Sequence, residues 1–323
     1  MNTKSATIIV LLCCASMLYA AAEVYHVNGV NIPIHAVKIT EKVTLTPSED
    51  SAKPERKVSE YLFDTSWGAF KVLYSRYLNN SEQWKGKHGA CTNSDSGIGI
   101  PGYAWNWYRG NTLRIKIDGK DIIAAQAADK VNWQDGGKVG RWCGLWKTDK
   151  ADVFIRIAVV DGVDAALVEV EVDGKAKSVE LVLTCYPGGF GPSYGIPSLR
   201  SVEVIKGQTV EVGTGQDARQ LQIPAGASDV FYCDRFYENS GVYSKGACGL
   251  YFLPKTIASG NVTVSSYSVR TNLHLRKGER TARFALTGYS DIPNKRARRQ
   301  FFESRSETKK LLGMTKFDME AKQ

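Results

Sequence analysis

Three Asp-Gly pairs occur in quick succession, each between runs of β-prone residues: LRIKI-DG-KDII at Asp118-Gly119, RIAVV-DG-VDAALVEVEV at Asp161-Gly162 and VEVEV-DG-KAKSVELVL at Asp173-Gly174. Asp-Gly supplies the positive φ angles that a tight hairpin turn needs, so the pattern predicts successive antiparallel strands. Weaker turn residues repeat the theme in SVEVIKGQTVEV and NLHLRKGERTARFAL, and NVTVSSYSV alternates apolar and polar residues. Helical periodicity is scarce between residues 60 and 290. A body of this length built from strands predicts a mainly β fold, a large antiparallel sandwich or barrel, because the edges of so long an open sheet need cover.

The ends differ from this body. Residues 1–22 combine Lys4, an apolar run from Ile8 and the triplet Ala20-Ala21-Ala22, the layout of a cleavable secretory signal. A secreted, periplasmic or cell-envelope location is therefore expected, with no transmembrane segment once the signal is removed. Residues 23–58 read as N-terminal strands followed by a polar linker, TPSEDSAKPERKVSE, and residues 59–292 as the β domain. From 293 to 323 the chain reads as a basic helix and tail: Asp291 and Pro293 suit a helix start, and Ala297, Phe301, Thr308 and Leu312 share one stripe.

Charge sharpens this division. The whole chain carries a formal +9, yet residues 294–323 alone hold nine Lys and Arg against four Asp and Glu. The β body is close to neutral. The cluster Lys295 to Arg299 lacks the interleaved aromatics of a nucleic-acid surface, so no nucleic-acid partner is expected, and solvent exposure or an acidic glycan accounts for it better.

Export would place the cysteines in an oxidising compartment, where five remain after signal removal: Cys91, Cys143, Cys185, Cys233 and Cys248. The segment FYCDRFYENSGVYSKGACGLYF has strand-like flanks around a Gly/Ser/Asn loop and suggests a Cys233–Cys248 bridge, with Cys91–Cys143 next. Cys185, within VELVLTCY, reads as a buried small hydrophobe. Neither cysteine nor histidine spacing suits a structural zinc site, and no cofactor signature is present, so no metal or cofactor is expected.

All seven tryptophans, Trp67, Trp84, Trp105, Trp107, Trp133, Trp142 and Trp146, fall between residues 67 and 146. Part of this set belongs in the core, Trp67 and at least one of Trp142 and Trp146 first. The rest sit in Gly-rich segments, where an indole face can meet the C–H bonds of a pyranose while neighbouring planar polar groups bond its hydroxyls. Trp84, Tyr103, Trp105, Trp107, Tyr108, Arg109, Trp133 and Asp135 are the expected sugar-binding residues. For catalysis on the same glycan, Asp95 and Asp135 are candidate carboxylates. His88, Tyr103 and Arg109 form a candidate lyase set of base and charge neutraliser.

The paired segment VFIRIAVVDGVDAALVEVEVDGKAKSVELVLTCYPGGF and the later NLHLRKGERTARFALTGYSD resemble the β-supersandwich of galactose-mutarotase-like domains over roughly residues 100–290, which implies a supersandwich-like form of the large antiparallel β-sandwich. The resemblance implies carbohydrate recognition on a concave sheet face. Aldose mutarotases use a histidine acid and a glutamate base, whereas this region offers only His88 and His274, neither in a recognisable motif, so no catalytic residue is carried over. The expectation is a secreted carbohydrate-binding protein. A glycoside hydrolase or polysaccharide lyase on the same fold, and a non-catalytic envelope protein, are the alternatives.

Overall fold

The structure is a computed structural model that describes residues 24–27, 30–33, 36–46, 56–65, 69–77, 97–99, 107, 112–126, 128–189, 191–204, 208–237, 246–289 and 292–317. The first strands are β1 (Val24–Val27), β2 (Val30–Pro33), β3 (Lys38–Thr46), β4 (Arg56–Asp64), β5 (Ala69–Tyr77), β6 (Gly97–Gly99), β7 (Leu113–Ile117) and β8 (Lys120–Asp121). A single helical turn, α1 (Ile122–Ala125), precedes β9 (Lys130–Gln134), β10 (Val139–Lys147), β11 (Ala151–Val160), β12 (Ala166–Gly174) and β13 (Val179–Cys185). Then come β14 (Leu199–Val204), β15 (Gln208–Gly213), β16 (Arg219–Gln222), β17 (Asp229–Asp234), β18 (Cys248–Phe252), β19 (Ile257–Val264), β20 (Val269–Leu275) and β21 (Thr281–Gly288). The chain closes on α2 (Asn294–Met314).

Apart from the β1–β2 pair, these strands form two antiparallel sheets. One has the order β15-β14-β17-β18-β21-β12-β11-β10-β9, and the other β16-β19-β20-β13-β7-β6-β5-β4-β3 with β8 beside β7. Alternation along the strands turns one side of each inward, as in β7, whose Leu113, Ile115 and Ile117 are buried. One apolar core, running from Val37 to Leu286, draws residues from both sheets and makes the molecule a sandwich. A second core lies on the outer side of the first sheet, under α2.

The Asp-Gly pairs divide into two kinds. Asp118-Gly119 makes the expected tight turn, with φ of 50° and 84°, and Asp161-Gly162 lies in the loop joining the paired strands β11 and β12. Asp173-Gly174 does something else. β12 pairs with β11 and β21, while β13 pairs with β7 and β20, so the segment after Gly174 crosses from one sheet to the other. Lys277-Gly278 likewise separates β20 and β21, which belong to different sheets, and the strand pair expected in NLHLRKGERTARFAL is not formed. A reversal signal reports that the chain turns, whereas the partner of the next strand is set by burial on both of its neighbours. The polar stretch after β3 is also shorter as a connection than its composition suggests, since β4 starts at Arg56 and pairs with β3 along its length.

Helix α2 follows the sequence pattern closely. Ala297, Phe301, Thr308 and Leu312 are its buried stripe, joined by Asn294. Phe301 stacks on Tyr251 at 4.3 Å between centroids, and its ring fills the space where Gly249 lacks a side chain; a Cβ there would lie 2.1 Å from the ring. The buried Asp229 faces Arg305 at 3.5 Å and Lys309 at 3.4 Å, and Arg298 forks onto Glu203. Desolvation pushes the Asp229 carboxyl above its ordinary range despite both cations.

The expected Cys233–Cys248 bridge is absent. Both residues are free thiols, and they face opposite ways: Cys248 lies in the inter-sheet core and Cys233 in the cluster under α2. Tyr232 pairs with Cys248, so Cys233, one residue on, points to the other face of the sheet. Cys185 is buried as expected. Cys91 lies outside the described residues.

Candidate functional site

Strand β10 reads VGRWCGLW, and its inward face alternates Gly140, Trp142, Gly144, Trp146. The glycines are what the indoles require. A Cβ on Gly144 would lie 2.6 Å from the Trp146 ring and 2.9 Å from that of Trp142, and one on Gly140 would strike Val37 and Phe63. Both indoles are wholly buried, so the pair assigned in part to the core belongs to it entirely.

Outward from this pair the aromatics continue to the surface. Trp133 of the edge strand β9 lies directly across from Trp142, on the same face. Tyr61 of β4, in the opposite sheet, bridges the two at 5.3 Å from Trp133 and 6.0 Å from Trp142. Tyr74 of β5 follows, 6.5 Å from Trp142 and 6.1 Å from Trp146. The row ends in the open, because Trp133 is 37% exposed while Trp107, Trp142 and Trp146 are buried.

The two sheets are clasped at this edge. Asp135, in the turn from β9 to β10, accepts the Ile39 N–H at 2.9 Å, and Val37 exchanges backbone hydrogen bonds with Gly136 and Gly137. The turn thereby joins the edge strand of one sheet, β9, to the edge strand of the other, β3. Asp135 is exposed, and its carboxylate serves as a tie between the two sheets.

Beside the clasp lies a cleft of about 270 Å³, lined by Glu41, Ser59, Tyr61, Tyr74, Asp129, Lys130 and Trp133 with Ala128 and Val131. Glu41 accepts the Tyr61 hydroxyl at 3.0 Å. Burial, reinforced by the Glu41 charge, pushes that phenol well above its ordinary range, so Tyr61 is a neutral donor and a poor base. Tyr74 accepts the Ala128 N–H at 2.7 Å, and Asp129 accepts the Lys147 N–H at 2.6 Å; the first bond ties the cleft's far wall to β5 and the second to β10. The result is a cleft in which aromatic rings tilted to one another stand beside carboxylate, hydroxyl and ammonium groups.

Of the residues expected from sequence, the structure brings Trp133 into this cleft and places Asp135 next to it in the clasp. Trp107 is a correction. It is 2% exposed, its indole N–H donates to the Thr287 carbonyl at 2.8 Å, and its ring meets Tyr232 edge-on at 5.8 Å, so it belongs to the core. Trp84, His88, Asp95, Tyr103, Trp105, Tyr108 and Arg109 lie outside the described residues, as does Trp67. Sequence reasoning missed Glu41, Ser59, Tyr61 and Tyr74, which lie on β3, β4 and β5 of the opposite sheet. The alternation in EYLFD, which puts Tyr61 and Phe63 on one side, was the available signal. Among the described residues no group of three or more His, Cys, Asp or Glu could hold a metal ion.

No family model matches the chain, and no curated protein matches it. Among solved structures it is similar to a Klebsiella pneumoniae protein assigned to the aldose 1-epimerases, with 10% identity and a TM-score of 0.42 over 87% of this chain and 97% of that one. It is also similar to the galactosidase domain of an α-galactosidase–sucrose kinase, with 11% identity and a TM-score of 0.36 over 77% of this chain. A third is an α-galactosidase from Geobacillus stearothermophilus in complex with stachyose, with 10% identity and a TM-score of 0.36 over 66% of this chain. The chain spans 42% and 33% of the length of these two galactosidases.

Proposed function

We propose that the protein is exported and binds an oligo- or polysaccharide in the cleft between β4 and β9, with Trp133 as the platform for a sugar ring. The observation that carries this reading is the exposure of Trp133 at the end of an otherwise buried aromatic row. The open part of this indole is a surface on which a sugar ring can stack, and hydrogen-bonding groups stand around it: Glu41, Ser59, Asp129 and Lys130. The cleft is smaller than the roughly 300–1,000 Å³ of enclosed ligand pockets, which suits one ring of a longer chain rather than a buried cofactor.

Titration of the protein with a panel of soluble glycans, read by tryptophan fluorescence and calorimetry, tests this. Trp133→Ala is expected to weaken the best ligand at least about tenfold, the loss of roughly 1.5 kcal/mol of stacking, while melting within a few degrees of wild type. Binding that is absent from the panel, or unaffected by Trp133→Ala, overturns it.

A second reading, glycoside hydrolysis, draws on the presence of two carboxylates, Glu41 and Asp129, in one cleft. Reducing ends released by wild type and lost in Glu41→Gln would favour it over simple binding.

A further inference from the structure

The core between the two sheets holds a pair of thiols. Cys185 ends β13 in one sheet and Cys248 opens β18 in the other, and both are buried in the same apolar cluster. The strand registers bring them to one place. Cys248 lies directly opposite Tyr232, whose hydroxyl reaches Thr271 Oγ1 of the facing sheet at 2.7 Å. Thr271 in turn lies opposite Leu183, and Cys185, two residues further along β13, is on the same face. The cysteines thus flank the two ends of the Tyr232–Thr271 bond, and their thiols meet in a hydrogen bond across the sandwich.

The other described cysteines are turned elsewhere. Cys233 belongs to the cluster under α2, and Cys143, between the inward Trp142 and Gly144, is on the outer side of β10 beside Arg156. A thiol is a weak donor and a weak acceptor, so packing asks only for small apolar groups where Cys185 and Cys248 meet. What two cysteines alone can add there is a covalent bond.

We propose that Cys185 and Cys248 form a disulfide that staples one sheet to the other, made by exchange with a disulfide-bearing oxidant while the chain folds. One cysteine thiolate attacks the oxidant's disulfide, giving a mixed disulfide and releasing one thiolate. The second cysteine thiolate attacks the sulfur of the first and expels the other half of the oxidant. The two cysteines lose two electrons and two protons; the oxidant accepts both and leaves as two thiols. Burial sets the timing. Desolvation pushes the Cys248 thiol well above its ordinary range, and closed sheets leave neither sulfur open to solvent, so exchange belongs to the folding chain rather than to the finished sandwich. The bond closes the loop that carries β14 to β17, and it is independent of what the aromatic cleft binds.

The test is refolding of the full chain in a glutathione redox buffer, followed by blocking of free thiols and tryptic mapping without reduction. Cleavage after Lys and Arg puts Cys185 in Ser178–Arg200, Cys248 in Gly246–Lys255 and Cys233 in Gln220–Arg235, so each pairing has its own mass. Ser178–Arg200 linked to Gly246–Lys255 is expected, with a melting midpoint about 5 °C above that of chain refolded in reductant. Cys185→Ala is expected to remove both the linked peptide and the effect of reductant on melting. Free Cys185 and Cys248 in the folded, glutathione-treated chain, linkage of either to Cys233, Cys143 or Cys91, or equal melting of the oxidised and reduced chains overturns the proposal. The mapping is made on wild type, so it decides the matter even where Cys185→Ala fails to fold.

Discussion

Asp118 sits in the left-handed region at φ 50°, in the turn between β7 and β8, and its carboxylate accepts three hydrogen bonds. Lys150 Nζ donates at 2.9 Å from a turn of the opposite sheet, and the backbone N–H groups of Lys177 and Ser178 donate at 2.9 Å each from the crossover after Gly174. These partners, Lys150 first, hold the carboxyl down at about 2. The unfolded value is near 3.9, so the unfolded chain binds the proton first as pH falls. The contribution of this contact is present above about pH 4 and is lost between there and about pH 2. Melting temperature is therefore expected to drop over that interval in wild type. Asp118→Asn should start lower at neutral pH and show a flatter acid limb; an unchanged limb would mean that Asp118 is not a principal acid-sensitive tie.

At the scale of elements, α2 presents a choice between two anchors. The ionic one, Asp229 with Arg305 and Lys309, loses much of its Coulomb gain to the burial of the carboxylate, and both cations can turn to solvent if it goes. The apolar one places Phe301 between Tyr251 and the bare backbone of Gly249. Phe301→Ala is expected to cost about 3–5 kcal/mol in denaturant unfolding, and Asp229→Asn less than about 1 kcal/mol at neutral pH. Comparable losses would show that charge holds the helix. This element was legible in the sequence because its buried positions repeat every three to four residues and nothing remote is needed to place them. The crossovers at Asp173-Gly174 and Lys277-Gly278 were not. Their turn residues are those of a hairpin, and only the pairing of β12 with β21 and of β13 with β20 separates the two kinds of reversal. Trp107 and Trp133 illustrate the same limit in side chains. Both flank polar residues, yet the first is covered by strands distant in sequence and the second stands on an edge.

For the molecule as a whole, the sandwich has two cores, and they differ in when they close. The inter-sheet core is shared among strands from β3 to β21, and the outer one is finished by α2 and Phe317. A chain ending at residue 292 retains both sheets but uncovers Leu167, Phe231, Tyr251 and Ala285 along one face. It is expected to aggregate or to bind a hydrophobic dye strongly where the full chain does not, and a soluble, dye-silent truncation would contradict this. The same geometry bears on biosynthesis. A chain emerging N-terminus first completes every strand of that sheet before its cover exists, so until α2 is made a finished apolar surface has only solvent, or a chaperone, to face it. Helix α2 and Phe317 thus act as a timed closure, and any pause or premature stop before them leaves the most association-prone form of the protein.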